Sequence, residues 1–279
     1  MREISASEVA SVVKDLCFKA NFMLRQDILD GVKRSLPVEL SAIGKEVLEQ
    51  IIKNAEIAAR EKLPLCQDTG YVTVFLEIGQ NVLIKGDLTS AVNEGVRQAY
   101  LEGYLRKSMV ASPIFERENT LDNTPAFINV DLVAGDKVKI IVMPKGGGTE
   151  NASQLRMLPV SEGVDAVKKF VLEAAENAAK SCPPVLVGIG IGGSFDKVGL
   201  LAKKALLRPL SDKNPKPKLA SLEEEILAEI NKLGIGPAGL GGRVTALGVK
   251  IETAPTHIAC LPAAVTFNCC AARQAEAII

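Results

Sequence analysis

A helix followed at once by a buried strand, between residues 161 and 193, constrains the fold more than any other feature of the sequence. Apolar residues recur at helical spacing through Ser161–Lys180 and form one stripe, made of Val164, Val167, Val171, Ala174, Ala175 and Ala178. Pro183 and Pro184 end this helix, and the apolar run Val185–Ile191 predicts a buried strand. A helix that packs on a fully apolar strand is typical of α/β proteins.

The first 62 residues predict helices throughout. Apolar positions such as Val9, Val13 and Leu16 recur at helical spacing, and Glu46–Arg60 repeats the pattern. Beyond residue 62, short apolar runs alternate with helical patterns. We therefore expect an α/β protein with a helical N-terminal region, residues 1–62. A mixed β-sheet flanked by helices, residues 63–279, should follow it as one structural unit.

Three local patterns give more detailed predictions. Ala126–Leu132 and Lys137–Met143 flank a turn-like Ala-Gly-Asp and predict a β-hairpin. Ser221, with Glu224 three residues later, has the capping-box pattern of a helix start. A short helix is expected to close the chain after the Cys269–Cys270 pair.

Charge and composition exclude several classes of function. Lys plus Arg and Asp plus Glu number 33 each, so the chain has no net charge to attract nucleic acid or an anionic membrane. The first residues lack the apolar segment of a signal peptide, and the run Pro183–Gly193 is too short to span a bilayer. We therefore expect a soluble, cytoplasmic protein. Its six Cys should then be thiols, metal ligands or catalytic groups rather than disulfides.

Three cysteines, Cys66, Cys182 and Cys269, each lie where the predicted chain changes direction, next to Gly, Pro or Asn. No compact C-x-x-C motif is present, so their spacing alone does not indicate a metal site. Without other information, a small buried apolar role is the more common one for such a Cys. The sole His, His257, is predicted on a strand, where its role is either structural or that of an acid, base or carboxylate donor.

Asp68, two residues after Cys66, lies in a predicted turn. Asp at such a position most often binds the backbone two residues on, and the alternative is a carboxylate that transfers a proton to or from a substrate. The Gly146–Gly148 loop has N–H groups that could bind a carboxylate. Arg106, at the predicted end of a helix over Leu88–Lys107, either caps that helix or grips a carboxylate.

A second enzyme class is suggested by Gly188, Gly190 and Gly193, which match G-x-G-x-x-G between a strand and a helix. The acidic residue that such a dinucleotide site needs about twenty positions on should end the next strand. The nearest candidate, Asp212, lies in a Pro- and Lys-rich loop instead. An NAD-dependent oxidoreductase is therefore the weaker alternative. A non-enzymatic subunit, with its Cys in the core, is a third.

Several segments, taken together and in order, resemble the class I fumarase and L(+)-tartrate dehydratase α-subunit family. They are Cys66–Gly70, Asn123–Ala126, Pro144–Asn151, Cys182–Pro184 with the glycines that follow, Gly239–Arg243 and His257–Cys269. The resemblance runs from about residue 10 to residue 275, and an ordered set of this length is far more specific than any one motif.

The resemblance implies an iron–sulfur hydro-lyase that reversibly dehydrates a 2-hydroxy dicarboxylate. The first expectation is (S)-malate to fumarate, and tartrate to oxaloacetate is the close alternative. Three Cys of the family bind a [4Fe-4S] cluster and leave one iron open, and the matching residues are Cys66, Cys182 and Cys269. Cys17 and Cys260 have no ligand role in the pattern.

The family's other site residues carry over as expectations. Catalytic roles fall on Asp68, as a proton-transfer group, and on His257, which also orients substrate. Substrate contacts fall on Gln67, Arg106, Gly146, Gly147 and Gly148. Single-chain members continue into a second domain beyond the position of Ile279. The resemblance to two-subunit members therefore implies a separate β subunit, an assembly such as α2β2, and an α chain that is inactive alone.

Overall fold

Helices and mixed sheets alternate along the chain, which confirms the predicted α/β class. The structure is a computed structural model that describes the backbone of residues 1–279 and every side chain except those at positions 179 and 180. Two compact units are present, each built from separated segments. Unit 1 comprises Met1–Arg25, Ala55–Gly147 and Arg273–Ile279, and unit 2 comprises Gln26–Asn54 and Gly148–Ala272. The boundary expected at residue 62 stays a prediction.

The helices are α1 (Ala6–Phe22), α2 (Gln26–Ser35), α3 (Ala42–Glu61), α4 (Leu88–Glu102), α5 (Gly147–Asn151), α6 (Gly163–Asn177), α7 (Phe195–Ala205) and α8 (Pro217–Lys232). The strands are β1 (Arg2–Ser5), β2 (Tyr71–Gly79), β3 (Val82–Lys85), β4 (Phe127–Val133), β5 (Val138–Lys145), β6 (Gln154–Met157), β7 (Val185–Gly192), β8 (Ala246–Ala254), β9 (Pro262–Asn268) and β10 (Ala275–Ile278). No helix in the described chain combines the length and the apolar character needed to cross a membrane.

Unit 1 is a four-stranded sheet in the order β10-β5-β2-β4, covered by α1 and α4. Alternate residues of β2, such as Val72 and Val74, share a core with Val9 and Val13 of α1. Burial of one such side chain contributes roughly 1.5–3 kcal/mol. The predicted hairpin of β4 and β5 is wrong, because β2 lies between these strands and pairs with both. The closing helix is also wrong, because that segment forms β10 and pairs with β5.

Unit 2 is a second four-stranded sheet, in the order β6-β9-β7-β8. Helices α6 and α8 share a core with β7, β8 and β9, and α7 packs against the same three strands. Helix α8 begins at Pro217, the first-turn position that suits proline, so the predicted start at Ser221 lies inside the helix.

The glycine pattern of unit 2 serves packing. Gly188 and Gly190 lie inside β7, and a Cβ on either would approach a carbonyl oxygen of α7 to 2.3 Å. In a dinucleotide fingerprint the first glycine lies in the turn after the strand, where its backbone faces the pyrophosphate. Because these two glycines instead let α7 approach the sheet, the NAD-dependent alternative loses its structural support.

Candidate active site

The Cys66–Gly70 loop joins α3 to β2 in unit 1 and carries three of the predicted site residues. The N–H of Leu65 donates to the carbonyl of Asn21 (2.8 Å) and fixes the start of the loop. Gly70 ends it at φ 72°, where a Cβ would lie 2.4 Å from the carbonyl oxygen of Lys145. Only glycine fits there, because the conformation is left-handed and the neighbouring backbone leaves no space.

Buried side chains bind the carbonyl groups of this loop. The hydroxyl of Tyr100 lies 2.8 Å from the carbonyl oxygen of Thr69 and 3.0 Å from that of Gly70. Burial raises the pKa of Tyr100, so the phenol keeps its proton and donates. The Asn123 amide donates to Gly70 (3.1 Å), and the Thr69 hydroxyl donates to the carbonyl of Arg106 (2.9 Å). Groups that are distant in sequence therefore hold the backbone of the loop in place.

The carboxylate of Asp68 accepts two backbone N–H groups. One oxygen accepts from Gly70 at 3.0 Å, which is the local turn bond, and the other accepts from Gly147 at 2.9 Å. The side chain is half-buried. Beside it, the Cys66 sulfur lies 3.3 Å from the side-chain oxygen of Gln67. The turn bond is thus present, but the bond to Gly147 also fixes the carboxylate against the start of α5, because Gly147 and Gly148 lie in this helix rather than in the predicted loop.

Two other predicted substrate contacts differ in detail from expectation. The N–H of Gly147 is not free for a substrate carboxylate, because Asp68 accepts it. Arg106 does not end a helix: α4 stops at Glu102, and Tyr104 follows with φ 51°. The side chain of Arg106 is exposed in the loop that follows.

In unit 2, Cys182 and the Cys269–Cys270 pair are neighbours. The N–H of Cys270 donates to the carbonyl of Cys182 (3.1 Å). The pairing of β7 with β9 explains this, because Leu186, near the start of β7, lies opposite Asn268, the last residue of β9. Cys182 is exposed and Cys269 is half-buried.

The backbone at Cys182 is left-handed, with φ 58°, a conformation that is uncommon for a residue other than glycine. The hydroxyl of the preceding residue, Ser181, is buried and has no hydrogen-bond partner among the described residues. Buried hydroxyls normally have one. This donor is consistent with a group bound beside Cys182.

His257 lies in the turn between β8 and β9, and the prediction that it lies on a strand is wrong. Its Nδ1 accepts the N–H of Ala259 (3.1 Å), which assigns the neutral ring a proton on Nε2. His257 precedes β9 and Cys269 follows it. Strand β9 therefore separates the two residues along the chain, and the side-chain hydrogen bond of His257 within the described chain is local, to Ala259.

The donor chemistry of the predicted cluster ligands fits an iron–sulfur group. Cys66, Cys182 and Cys269 form no disulfide bond, are exposed or half-buried, and lie on loops. Cys17 differs, because it is fully buried and burial raises the pKa of its thiol, which disfavours the thiolate that iron requires. Within the described chain, no group of three or more His, Cys, Asp or Glu is arranged to hold a metal ion. Unit 1 carries one predicted ligand and unit 2 carries two.

Comparison with known proteins identifies the family. The family described as fumarate hydratase (Fumerase) matches residues 10–278. A protein of Methanocaldococcus jannaschii named "Putative L(+)-tartrate dehydratase subunit alpha" is 42% identical over 278 residues, which covers 96% of each chain. The L(+)-tartrate dehydratase subunit alpha of Escherichia coli O157:H7 is 33% identical over 283 residues, 100% of this chain and 93% of the relative. That of Escherichia coli strain K12 is 32% identical with the same coverage. The chain therefore belongs to the fumarate hydratase family and is an α-type hydro-lyase subunit, which confirms the family resemblance.

Proposed function

We propose that this chain is the α subunit of a [4Fe-4S]-dependent hydro-lyase that reversibly dehydrates a 2-hydroxy dicarboxylate together with a β subunit. The observation that carries the proposal is the Cys66–Gly70 loop. It places an accessible thiol two residues from a half-buried carboxylate, and buried side chains fix its backbone. A ligand and a proton-transfer group on one rigid loop are suited to a reaction in which both act on a single substrate.

Cys66, Cys182 and Cys269 would hold the cluster. When bound, it supplies a Lewis acid through an iron that no Cys ligates. The exposed or half-buried positions of the three cysteines support this assignment, as does the Ser181 hydroxyl, which has no partner among the described side chains.

Asp68 is proposed to transfer the proton at the substrate carbon. An ionised carboxylate has about four acceptor positions, and the N–H groups of Gly70 and Gly147 occupy one on each oxygen. These two bonds orient the carboxylate, and each oxygen keeps capacity for a proton. A group held in this way meets the geometric need of acid–base catalysis.

The substrate carboxylates are proposed to bind the exposed guanidinium of Arg106 and the side chain of Gln67. A planar guanidinium binds a carboxylate through two parallel hydrogen bonds. Gly146, Gly147 and Gly148 would line the approach to Asp68 rather than provide a set of free donors. His257 is proposed to donate from Nε2, since its Nδ1 already accepts the N–H of Ala259.

The substrate is proposed to be (S)-malate, interconverted with fumarate, in line with the description of the family. L(+)-tartrate is the second candidate, because relatives that are 42% and 33% identical carry the name of its dehydratase α subunit. The same relatives are named as α subunits, which supports a β partner and an assembly such as α2β2.

The test is to co-express the chain with its β partner, purify the complex without oxygen, and compare kcat/KM for (S)-malate, fumarate and L(+)-tartrate. The complex should turn over at least one of them, and the ratio of kcat/KM values assigns the substrate. Rigorously purified α chain alone should show no turnover. Failure of the iron-loaded complex on all three dicarboxylates would refute the proposed function.

A further inference from the structure

We propose that Arg273 is a positioning residue that holds Asp68 in its working orientation. The inference rests on the proposed function, because it assigns Arg273 a role in the step that Asp68 performs. Arg273 comes from the segment that leads into β10, far from the Cys66–Gly70 loop in sequence and within the same unit.

The contacts tie the guanidinium to the backbone of Asp68 and place it near the carboxylate. One terminal nitrogen, Nη1, donates to the backbone carbonyl of Asp68 at 2.5 Å and to the side-chain oxygen of Asn21 at 3.4 Å. The other, Nη2, lies 3.4 Å from the position that a Cβ on Gly146 would take. The Oδ2 oxygen of Asp68 lies 3.0 Å from that same position. The two groups thus converge on the face of one glycine.

The charge of Arg273 has no other evident use. The residue is 4% exposed, and no carboxylate forms an ion pair with it in the described part of the chain. A buried cation without a paired acid is unfavourable unless hydrogen bonds compensate it. Its one short bond goes to the carbonyl of Asp68. We infer that the loop is the partner for which this cation is retained.

The arrangement also explains why residue 146 is a glycine. Gly146 has no left-handed backbone, so its conformation alone does not demand glycine. A side chain there would enter the contact distance of both Asp68 and Arg273. The absence of a Cβ lets the guanidinium and the carboxylate share one side of the backbone.

The experiment compares Arg273→Met and Arg273→Lys with the matched control Arg25→Met. Arg25 is half-buried and donates to Gln274 at 2.8 Å, so its loss disturbs the next residue of the same segment. Amide exchange is measured by mass spectrometry on peptides that contain Gly70 and Gly147, whose N–H groups bind Asp68. In the full-length chain, Arg273→Met should accelerate exchange at these two glycines by about 10-fold or more, the equivalent of one charge-assisted hydrogen bond. Arg25→Met should not.

The catalytic readout uses the αβ complex. Displacement of Asp68 should lower kcat by about 100-fold, the effect of a misplacement near 1 Å, with KM changed less than about threefold. Arg273→Lys should restore part of kcat, and free guanidinium should restore part of it in Arg273→Ala. In an Asp68→Asn background, Arg273→Met should have no further effect on kcat, since the two changes act through one group.

Three outcomes would overturn the proposal. Unchanged exchange at Gly70 and Gly147 in Arg273→Met would show that the guanidinium does not hold the loop. Equal acceleration by Arg25→Met would assign Arg273 to general stability of the segment. Additive effects of Arg273→Met and Asp68→Asn would place Arg273 outside the Asp68 step. If the complex proves to have no hydro-lyase activity, the proposed function fails, and the exchange data still decide whether Arg273 holds the loop.

Discussion

Glu39 of unit 2 and Asp68 of unit 1 are carboxylates that each bind the backbone of a loop, and their oxygens are occupied by N–H groups to different extents. Glu39 of unit 2 is fully buried, and its two oxygens accept the N–H groups of Leu40, Ser41, Arg243 and Val244. Asp68 of unit 1 is half-buried and accepts two N–H groups.

The difference separates a structural carboxylate from one that is proposed to take part in the reaction. Burial by itself raises the pKa of Glu39, but the surrounding N–H groups outweigh it, and the pKa is lowered. Because its acceptor positions are filled, Glu39 has only a structural use, which is to hold the backbone at Arg243. Ala238, a few residues earlier, contacts the residue after Cys182, because its N–H donates to the carbonyl of Pro183 (2.8 Å). Asp68 keeps unfilled positions and some access to solvent.

The largest effect is expected for Asp68→Asn in the αβ complex. Asn keeps one acceptor for the turn but cannot exchange a proton, so kcat should fall by about 10²–10⁴-fold. Iron content should stay close to that of the unmodified complex, and the urea midpoint should fall less than in Glu39→Gln, because Asp68 is half-buried and accepts only two N–H groups. Steady-state kinetics with iron analysis makes the measurement, and near-normal kcat would remove Asp68 from the mechanism.

Glu39→Gln should destabilise the chain by about 3 kcal/mol, because an amide places its own N–H groups against backbone N–H groups in a buried site. Urea unfolding followed by circular dichroism measures the change. Because Glu39 is structural, the fraction of the Glu39→Gln complex that folds should have a kcat within a few-fold of normal. A selective loss of kcat with full stability would mean that Glu39 has a chemical role.

The pH dependence of the free energy of unfolding is the control for the Glu39→Gln prediction. The pKa of Glu39 is lower in the folded chain than in the unfolded one, so the unfolded state binds the extra proton in acid. The stabilisation is therefore present above the ordinary Glu value, about 4.3, and is lost as pH falls through the lower folded pKa. The stability gap between the unmodified chain and Glu39→Gln should narrow in that acidic range. A gap that widens there would contradict the lowered pKa.

The smallest effect is expected for Tyr100→Phe. This change removes the hydroxyl that binds the Cys66–Gly70 loop, and the chain should still fold. Loss of one buried hydrogen bond should cost about 1–2 kcal/mol in the free energy of unfolding. The matched change Tyr104→Phe, at an exposed position, should have no measurable effect. Equal stabilities for both variants in urea would show that the loop does not depend on the phenol.

The sequence predicted those parts of the fold that depend on local pattern. The stripe of α6 and the apolar run of β7 were sufficient, because burial dictates both. The pairing of β4 and β5 through β2 was not predictable, since turn residues carry no information about a third strand. The Ala-rich chain end has a helical composition, yet pairing with β5 makes it a strand.

The site residues also divide into those that local sequence indicates and those that depend on distant contacts. The sequence indicates Cys66, Asp68 and Cys182 because they lie at breaks between elements. Arg273 was missed, since its role depends on a contact with a residue 205 positions earlier. The apolar residues after His257 extend the pattern of β9 and predict a strand there, whereas the segment of His257 itself turns.

The most direct test of the central claim is a count of iron and acid-labile sulfide in the complex purified without oxygen. The unmodified complex should contain about four of each per α chain, with visible absorbance to match. Cys66→Ser, Cys182→Ser and Cys269→Ser should each lose the cluster, because a hydroxyl does not replace a thiolate ligand. Cys260→Ser, half-buried and outside the ligand set, should retain it. A full complement of iron in Cys66→Ser, or none in the unmodified complex, would contradict the account.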